Sequence, residues 1–377
     1  MSARLRSTQR LTQLDARMRA QAMPLPPSAY ADPAWFEREQ AARGRWPSYA
    51  GHEAMIPERG DFREPALGAN GRVLLHGERG PVLSSNVCRH RQARMLQGSG
   101  NASRIVCPVH GWTYDLGGRL LGGADFPRPP EGMCLEQEPL ENWRGLLLAG
   151  AGGLATRLHD FPAIPEFDWS RYRFDRAIVE EHNVNWKDFI DIYLEVYHVG
   201  FVHPGLRNWV DVDHYEWTFG REWSCQTMPA LGDWSRQESP HYQAYRDAVL
   251  RLNGGRVHGF GAIWAMVYPD IMLEAYPHAL VVSTIVAQGP ERTSNVIEFF
   301  YPEEVQAFER DLVEAHQAAY LETAAEDTAI CERLHEGRRA LWRAGRDEPG
   351  PFHEPHEDGI IHFNDWLRRE LCNAEPS

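Results

Sequence analysis

The sequence predicts an α+β chain in which a small all-β module precedes a larger domain built on an antiparallel sheet flanked by helices. Three observations predict it. Between residues 71 and 148 short β-branched runs are punctuated by glycine; between 261 and 301 four longer apolar runs are joined by turns; and on both sides of that meander lie segments with helical spacing of apolar residues. With 377 residues and 43% apolar composition, each domain can bury a core of its own.

Residues 1–22 carry arginines but no continuous apolar stretch, so they read as a polar helix or arm and not as a secretory leader. Met23-Pro24-Leu25-Pro26-Pro27 stops any helix there, and 33–43 reads as a second one. Residues 1–44 are assigned as a helical arm of the larger domain. The β module spans 45–153, with strands at Val73-Leu74-Leu75, Pro81-Val82-Leu83, Arg104-Ile105-Val106, Trp112-Thr113-Tyr114 and Gly145-Leu146-Leu147-Leu148. The larger domain, 154–377, opens after the 150–153 spacer. It offers a helix from 186 to about 199, strands at 261–268, 271–276, 280–287 and 295–301, and a long helix from 302 to about 343.

The formal charge of −14, from 53 acidic and 39 basic side chains, repels polyanions and argues against a nucleic-acid partner. The same field suits a basic redox partner or plain solubility. No run reaches the roughly 20 apolar residues of a membrane span, and a cytoplasmic protein is the expectation. Six cysteines do not suggest a disulfide framework. Cys134, Cys225, Cys331 and Cys372 are scattered and read as ordinary thiols.

The remaining two cysteines carry the strongest signal. Cys88-Arg89-His90 is followed, after sixteen residues, by Cys107-Pro108-Val109-His110, so that each of two loops offers one thiolate and one imidazole. Two cysteines on one iron and two histidines on the other would hold a [2Fe-2S] cluster whose neutral imidazoles raise its potential. A tetrahedral zinc site is the rival reading, although zinc fingers usually present a cysteine pair and then a histidine pair.

Cys88-Arg89-His90-Arg91 and Cys107-Pro108-Val109-His110-Gly111-Trp112-Thr113-Tyr114-Asp115 resemble the cluster loops of Rieske non-haem iron oxygenase α (oxygenase) subunits. That family includes the aromatic-ring-hydroxylating enzymes and the choline, betaine and carnitine oxygenases. Upstream, Tyr49-Ala50-Gly51-His52 with Ile56-Pro57 and Gly60-Asp61 is similar to the family's entry strand, and Asn142-Trp143-Arg144-Gly145 to its exit strand. The resemblance implies a Rieske domain followed by a catalytic domain of helix-grip, START-like form.

Asn185-Trp186-Lys187 opens a helical stretch in which Asp188, Asp191, Glu195 and His198 share one face by spacing. His203 lies five residues further, about 140° away on a straight helix, so the helix must bend or end before Pro204-Gly205. Two imidazoles there and one distant carboxylate would form the facial triad of an Fe(II) oxygenase. The resemblance matches His198 and His203 to the iron histidines and Glu195 to the acidic residue before them. It places the iron carboxylate in Ala325-Glu326-Asp327-Thr328-Ala329-Ile330-Cys331-Glu332, where Asp327 is chosen and Glu326 is its competitor.

By the same resemblance a head-to-tail homotrimer sets the cluster of one subunit beside the iron of the next, with Glu195 bridging His110 of one chain and His198 of the other. Electrons come from NAD(P)H through a separate ferredoxin or flavin reductase, and O2 hydroxylates or oxidatively dealkylates a small organic substrate. Two positions depart from the family. Ile190-Asp191 stands where a Glu-Asn pair is common, which puts Asp191 near the iron in a catalytic role, and His335 stands where glutamine is frequent.

Trp209, Phe260, Trp264, Tyr268 and Tyr276 are the candidate substrate pocket, with Leu206, Val210 and Met272 beside them. They suit an aromatic ring or a cage for a quaternary ammonium, while alternation along a strand equally describes core. Chain length and a glutamate at the bridge lean toward the choline, betaine and carnitine branch, with aromatic acids as the other substrate class. The competing function is a Rieske electron carrier or sensor without oxygenase activity, which needs no second iron.

Overall fold

The computed structural model describes residues 23–67, 71–123, 125–126, 131–150, 153–232 and 234–372. The expected arm over 1–22 lies outside them. The larger domain is organised by one seven-stranded antiparallel sheet. Its order across is Tyr172–His182, Arg292–Pro302, Ala279–Gly289, Ile271–Tyr276, Ala262–Val267, Trp223–Met228 and Glu216–Phe219. The meander supplies four neighbouring strands, and three more extend it on both sides.

Successive residues of a strand point to opposite faces. Ile263, Ala265 and Val267 therefore join Leu273, Val282 and Phe300 on one face, packed on Trp143 and Leu146–Leu148 of the β module. Trp264 and Met266 turn to the other face, where the helices lie. Both faces are buried, which is why these strands read as continuous apolar runs.

On the helical face, Arg310–Arg343 is the long element, separated from Glu303–Phe308 by a break at Glu309. Residues from 25 to 46 share a core with Trp186, Phe363 and Trp366, which ties the N-terminal helix Pro33–Arg43 to the C-terminal helix Asp358–Cys372. Among the described residues no helix is long and apolar enough to cross a membrane.

The helix that begins at Trp186 carries a capping box, in which Asn185 and Asp188 exchange side-chain to backbone hydrogen bonds. It ends at Tyr193, short of the expected 199, and a second short helix spans Val199–Val202. Between them the Glu195 carboxylate accepts the His198 backbone N–H at 3.0 Å, a local bond that competes with continued helix. The expectation that Asp188, Asp191, Glu195 and His198 share one face is therefore corrected: the chain unwinds between the two pairs.

The β module holds three small sheets, two of which pack around Leu75, Ile105 and Tyr114, while the third, with Leu146–Leu148, packs on the larger domain. The two cysteine-histidine loops have the same backbone form. Cys88 N–H donates to Ala93 O and Gln92 N–H to Cys88 O; Cys107 N–H donates to Trp112 O and Gly111 N–H to Cys107 O. The fourth residue after each cysteine takes a left-handed conformation, with φ +56° at Gln92 and +66° at Gly111.

Candidate metal centres and the cavity between the helices and the sheet

The matched loops bring their donors together. Cys88 and Cys107 are buried, and the His90 and His110 rings lie 4.8 Å apart. His90 stacks on Trp112 at 4.9 Å, and its Nδ1 is buried without a hydrogen-bond partner, the state of an atom reserved for a ligand. Tyr114 Oη accepts Arg89 N–H at 3.1 Å and lies 3.7 Å from Cys88 Sγ. Two thiolates and two imidazoles brought together from paired loops are the donor set that a [2Fe-2S] cluster would take, with the cysteines on one iron and the histidines on the other.

Among the described residues, His198, His203 and Asp327 form the group whose ligand atoms all lie within 4.8 Å. The two Nε2 atoms are 3.0 Å apart, and Asp327 Oδ1 is 3.4 Å from His198 Nε2 and 3.0 Å from His203 Nε2. Neighbouring ligands on a metal with bonds of roughly 2.1 Å are about 3 Å apart, so the spacing fits.

Each imidazole is held from behind by a carboxylate. Glu195 Oε1 takes His198 Nδ1, and Glu326 Oε2 takes His203 Nδ1 at 2.7 Å. With those Nδ1 hydrogens directed at carboxylates, both Nε2 atoms present lone pairs to Asp327, whose Oδ1 is buried and has no hydrogen-bond donor. Three lone pairs at this spacing require a cation among them. Without one, protons are retained: burial pulls the His198 pKa down, but hydrogen bonds to Asp327 and Glu195 outweigh it and lift it to about 10. Asp327, pushed up by burial, is pulled down to about 2 by the same two imidazoles. The helix places Glu326 and Asp327 about 100° apart, so the competitor for the iron faces the second histidine and not the metal.

Gly205 lets this segment pack, since a Cβ there would come within 2.3 Å of the Tyr242 ring. The triad opens into a cavity of about 90 Å³ between the long helix, the ligand segment and the sheet. Trp264 and Tyr276 of the expected pocket line it, together with Leu206 and Met272. Trp209, Phe260 and Tyr268 do not. Trp209 is sandwiched between Trp234 at 4.1 Å and Tyr245 at 4.5 Å, with its Nε1 donating to Gly261 O. Tyr268 hydrogen-bonds His362 and packs on Trp366, Phe260 packs edge-on to His258, and Val210 is core.

The cavity also contains residues that sequence reasoning missed, chiefly Glu274, Tyr193, His316 and Tyr320. Glu274 had a readable signal, a single charge inside the apolar strand Ile271-Met272-Leu273-Glu274-Ala275-Tyr276.

Asp191 does not line the triad's cavity, and its expected catalytic place is corrected. Its carboxylate accepts from Tyr30 Oη at 2.6 Å and pairs with Arg338 at 2.7 Å, facing the N-terminal segment. Arg338 also pairs with Asp188 at 2.6 Å, and His335 Nδ1 lies 2.8 Å from that same carboxylate. Both departures from the family thus belong to one buried network that joins the helix Trp186–Tyr193 to the long helix.

Comparison with known proteins agrees with this architecture. Residues 48–134 match the Rieske [2Fe-2S] domain, and residues 169–372 match the ring hydroxylating alpha subunit (catalytic domain). The chain is 47% identical over 348 residues to a putrescine 2-hydroxylase of Ralstonia nicotianae, covering 92% of this chain and 95% of that protein. It is 27% identical to the chloroplastic choline monooxygenase of Atriplex hortensis, covering 92% and 78%. Among solved structures, a quaternary ammonium Rieske monooxygenase superposes with TM-score 0.74 at 21% identity, covering 92% and 95% of the chains. Naphthalene 1,2-dioxygenase from Rhodococcus sp. superposes with TM-score 0.72 at 16% identity, covering 97% and 99%. The chain belongs to the Rieske non-haem iron oxygenases, as an α subunit that carries a [2Fe-2S] cluster and a mononuclear iron and uses O2 with electrons from a separate reductase.

Proposed function

We propose that this terminal oxygenase hydroxylates a small aliphatic amine, with an α,ω-diamine of the putrescine type as the first candidate. The observation that carries this reading is the composition of the cavity beside the triad. Three carboxylates, Glu195, Glu274 and Asp327, line it among aromatic rings, and among the described residues no lysine or arginine does. With Asp327 turned to the iron and Glu195 to His198, Glu274 is the carboxylate left to face a substrate, and an aromatic acid would bring its own carboxylate against it with no lysine or arginine among the described lining residues to receive it. A cationic substrate gains from both that carboxylate and the ring faces. The volume of about 90 Å³ is well below the roughly 300 Å³ at which drug-sized pockets begin, which favours a slender substrate. The 47% identical relative is named for acting on putrescine.

In this reading Cys88, His90, Cys107 and His110 hold the cluster, and His198, His203 and Asp327 hold the iron. Bound there, the cluster would supply stored electrons and the iron would supply the site of O2 activation. In the overall reaction one oxygen atom enters a C–H bond and the other leaves as water, consuming two electrons and two protons. Glu195 and Glu326 fix the imidazole orientations. A head-to-tail homotrimer, in which Glu195 bridges His198 and His110 of the neighbouring subunit, is supported by exposed apolar side chains at both candidate surfaces. Val109 is exposed beside His110, and Tyr197 and Phe201 are exposed beside His198. A carrier or sensor without oxygenase activity would leave the triad unexplained.

The test supplies the iron- and sulfide-loaded protein with NADH, a flavin reductase, a ferredoxin and putrescine. A product heavier by one oxygen, formed with matching O2 uptake, is expected. Reduction and reoxidation of the cluster with no oxygenated product from any amine in a panel would refute it.

A further inference from the structure

We propose that Glu274 and His316 form the acceptor pair that binds a primary ammonium group of the substrate, and that this pair makes the cavity select N–H-bearing amines over quaternary ones. The proposal rests on the reading of the chain as an amine hydroxylase and names the atoms that recognise the amine.

Glu274 lies on Ile271–Tyr276, in the middle of the sheet, between Trp264 and Val281 on the adjacent strands. It is buried, and each of its oxygens receives one hydroxyl: Tyr276 Oη donates to Oε2 at 2.6 Å and Tyr320 Oη to Oε1 at 2.8 Å. Tyr276 Oη is itself placed by Trp264 Nε1 at 2.9 Å. Two donors leave the carboxylate with unused lone pairs at the cavity wall, and among the described residues no lysine or arginine lines the cavity to take them. A carboxylate buried without a counter-ion is costly to the fold, and glutamine or leucine would suit a purely structural strand. Burial pushes its pKa up to about 7 against the two tyrosine hydrogen bonds, so a partner cation would hold it ionised.

His316 is the second, independent observation. Its Nδ1 is 2.8 Å from Tyr301 Oη, and that hydroxyl is also 3.4 Å from the Val313 carbonyl, to which it can only donate. The arrangement that satisfies both contacts puts the imidazole hydrogen on Nδ1 and leaves Nε2 as a bare lone pair. Nε2 is buried and has no partner among the described residues. The His316 ring is 5.3 Å from Tyr276 and 6.3 Å from Tyr320, which places this acceptor with Glu274 at the same end of the cavity. Two acceptors with vacant lone pairs fit a group with several N–H donors. A tetraalkylammonium has none, and it could use only the ring faces.

Calorimetric titration of the loaded enzyme with putrescine and with choline tests this, using wild type, Glu274→Gln and Glu274→Asp, with the cluster spectrum as the check on folding. Wild type is expected to bind putrescine at least about tenfold more tightly than choline. Glu274→Gln should weaken putrescine about 100-fold and choline much less, and Glu274→Asp, which keeps the charge further back, should lose about tenfold. A Glu274→Gln affinity within threefold of wild type overturns the anchor while leaving amine hydroxylation standing. Choline bound more tightly than putrescine by wild type also overturns it. Wild type that neither binds nor oxidises any amine refutes the functional reading itself. Should Glu274→Gln not fold, Glu274→Asp decides, and wild-type affinity in that variant overturns the anchor.

Discussion

Replacing Arg338 by methionine is expected to destabilise the catalytic domain by about 3–5 kcal/mol, the cost of leaving buried charges without their partner. Arg338 Nη1 lies 2.6 Å from Asp188 and Nη2 2.7 Å from Asp191, and its guanidinium sits 3.7 Å over the Tyr30 ring. Methionine keeps the apolar stem and removes the cation, so two buried carboxylates remain in proximity. Asp188 would retain the Asn185 N–H and His335, but Asp191 would keep only Tyr30.

The pH dependence has a definite sign. Burial already raises the Asp191 pKa against the opposing pull of Arg338, and losing the cation raises it further. The folded variant then holds a proton that the unfolded chain gives up at lower pH, so its stability falls as pH rises through that window. The deficit should be largest near pH 8 and smaller near pH 5.5.

Urea unfolding followed by tryptophan fluorescence at both values measures it, with Asp191→Asn/Arg338→Met expected to recover part of the loss. Arg338 and Asp327 lie on one helix about 16 Å apart, and Asp191 lies on the helix that leads to His198. The single variant should therefore lose mononuclear iron while keeping the cluster spectrum. A variant within about 1 kcal/mol of wild type at both pH values, with its iron retained, would refute the reasoning.

Tyr114→Phe should lower the cluster potential by roughly 20–60 mV, because a hydrogen bond near Cys88 Sγ worth about 0.5–1.5 kcal/mol is lost; spectroelectrochemistry reads it, and an unchanged potential contradicts it. Glu195→Gln should slow electron delivery to substrate oxidation at least about tenfold with iron content near that of wild type, and loss of iron in proportion to activity would show a purely structural role. Burial holds the pKa of both His52 and His316 down to about 3, so the unfolded chain takes up their protons below about 6.5 while the native state does not. Stability is then lost as pH falls from about 6.5 to about 3, at up to about 1.4 kcal/mol per pH unit for each histidine, and a flat denaturation midpoint over that range would contradict it.

The donors that the structure brings together are legible in the sequence for two reasons: Cys88-Arg89-His90 and Cys107-Pro108-Val109-His110 by their paired spacing, and His198 and His203 by the family resemblance of their segment. The meander is legible for a related reason, since its strands are bounded by turn residues. What lies between is harder. The pocket walls come from strands buried on both faces, so apolar character cannot tell Trp264, which lines the cavity, from Tyr268, which does not. Asp191 is misplaced from sequence because the chain unwinds after Tyr193, where no glycine or proline announces it. The three additional strands are hidden for another reason. Tyr172–His182, at one edge, is mostly half-buried and rich in charge, and it becomes a strand by pairing with Arg292–Pro302 rather than by its own pattern.

One chain of this family is expected to hold two different iron centres. Iron and acid-labile sulfide counted on anaerobically purified wild type and Asp327→Ala address it most directly. About three irons and about two sulfides per wild-type chain are expected, falling to about two irons with sulfide unchanged in the variant. Two irons in both proteins, or zinc in place of iron and sulfide, would contradict it.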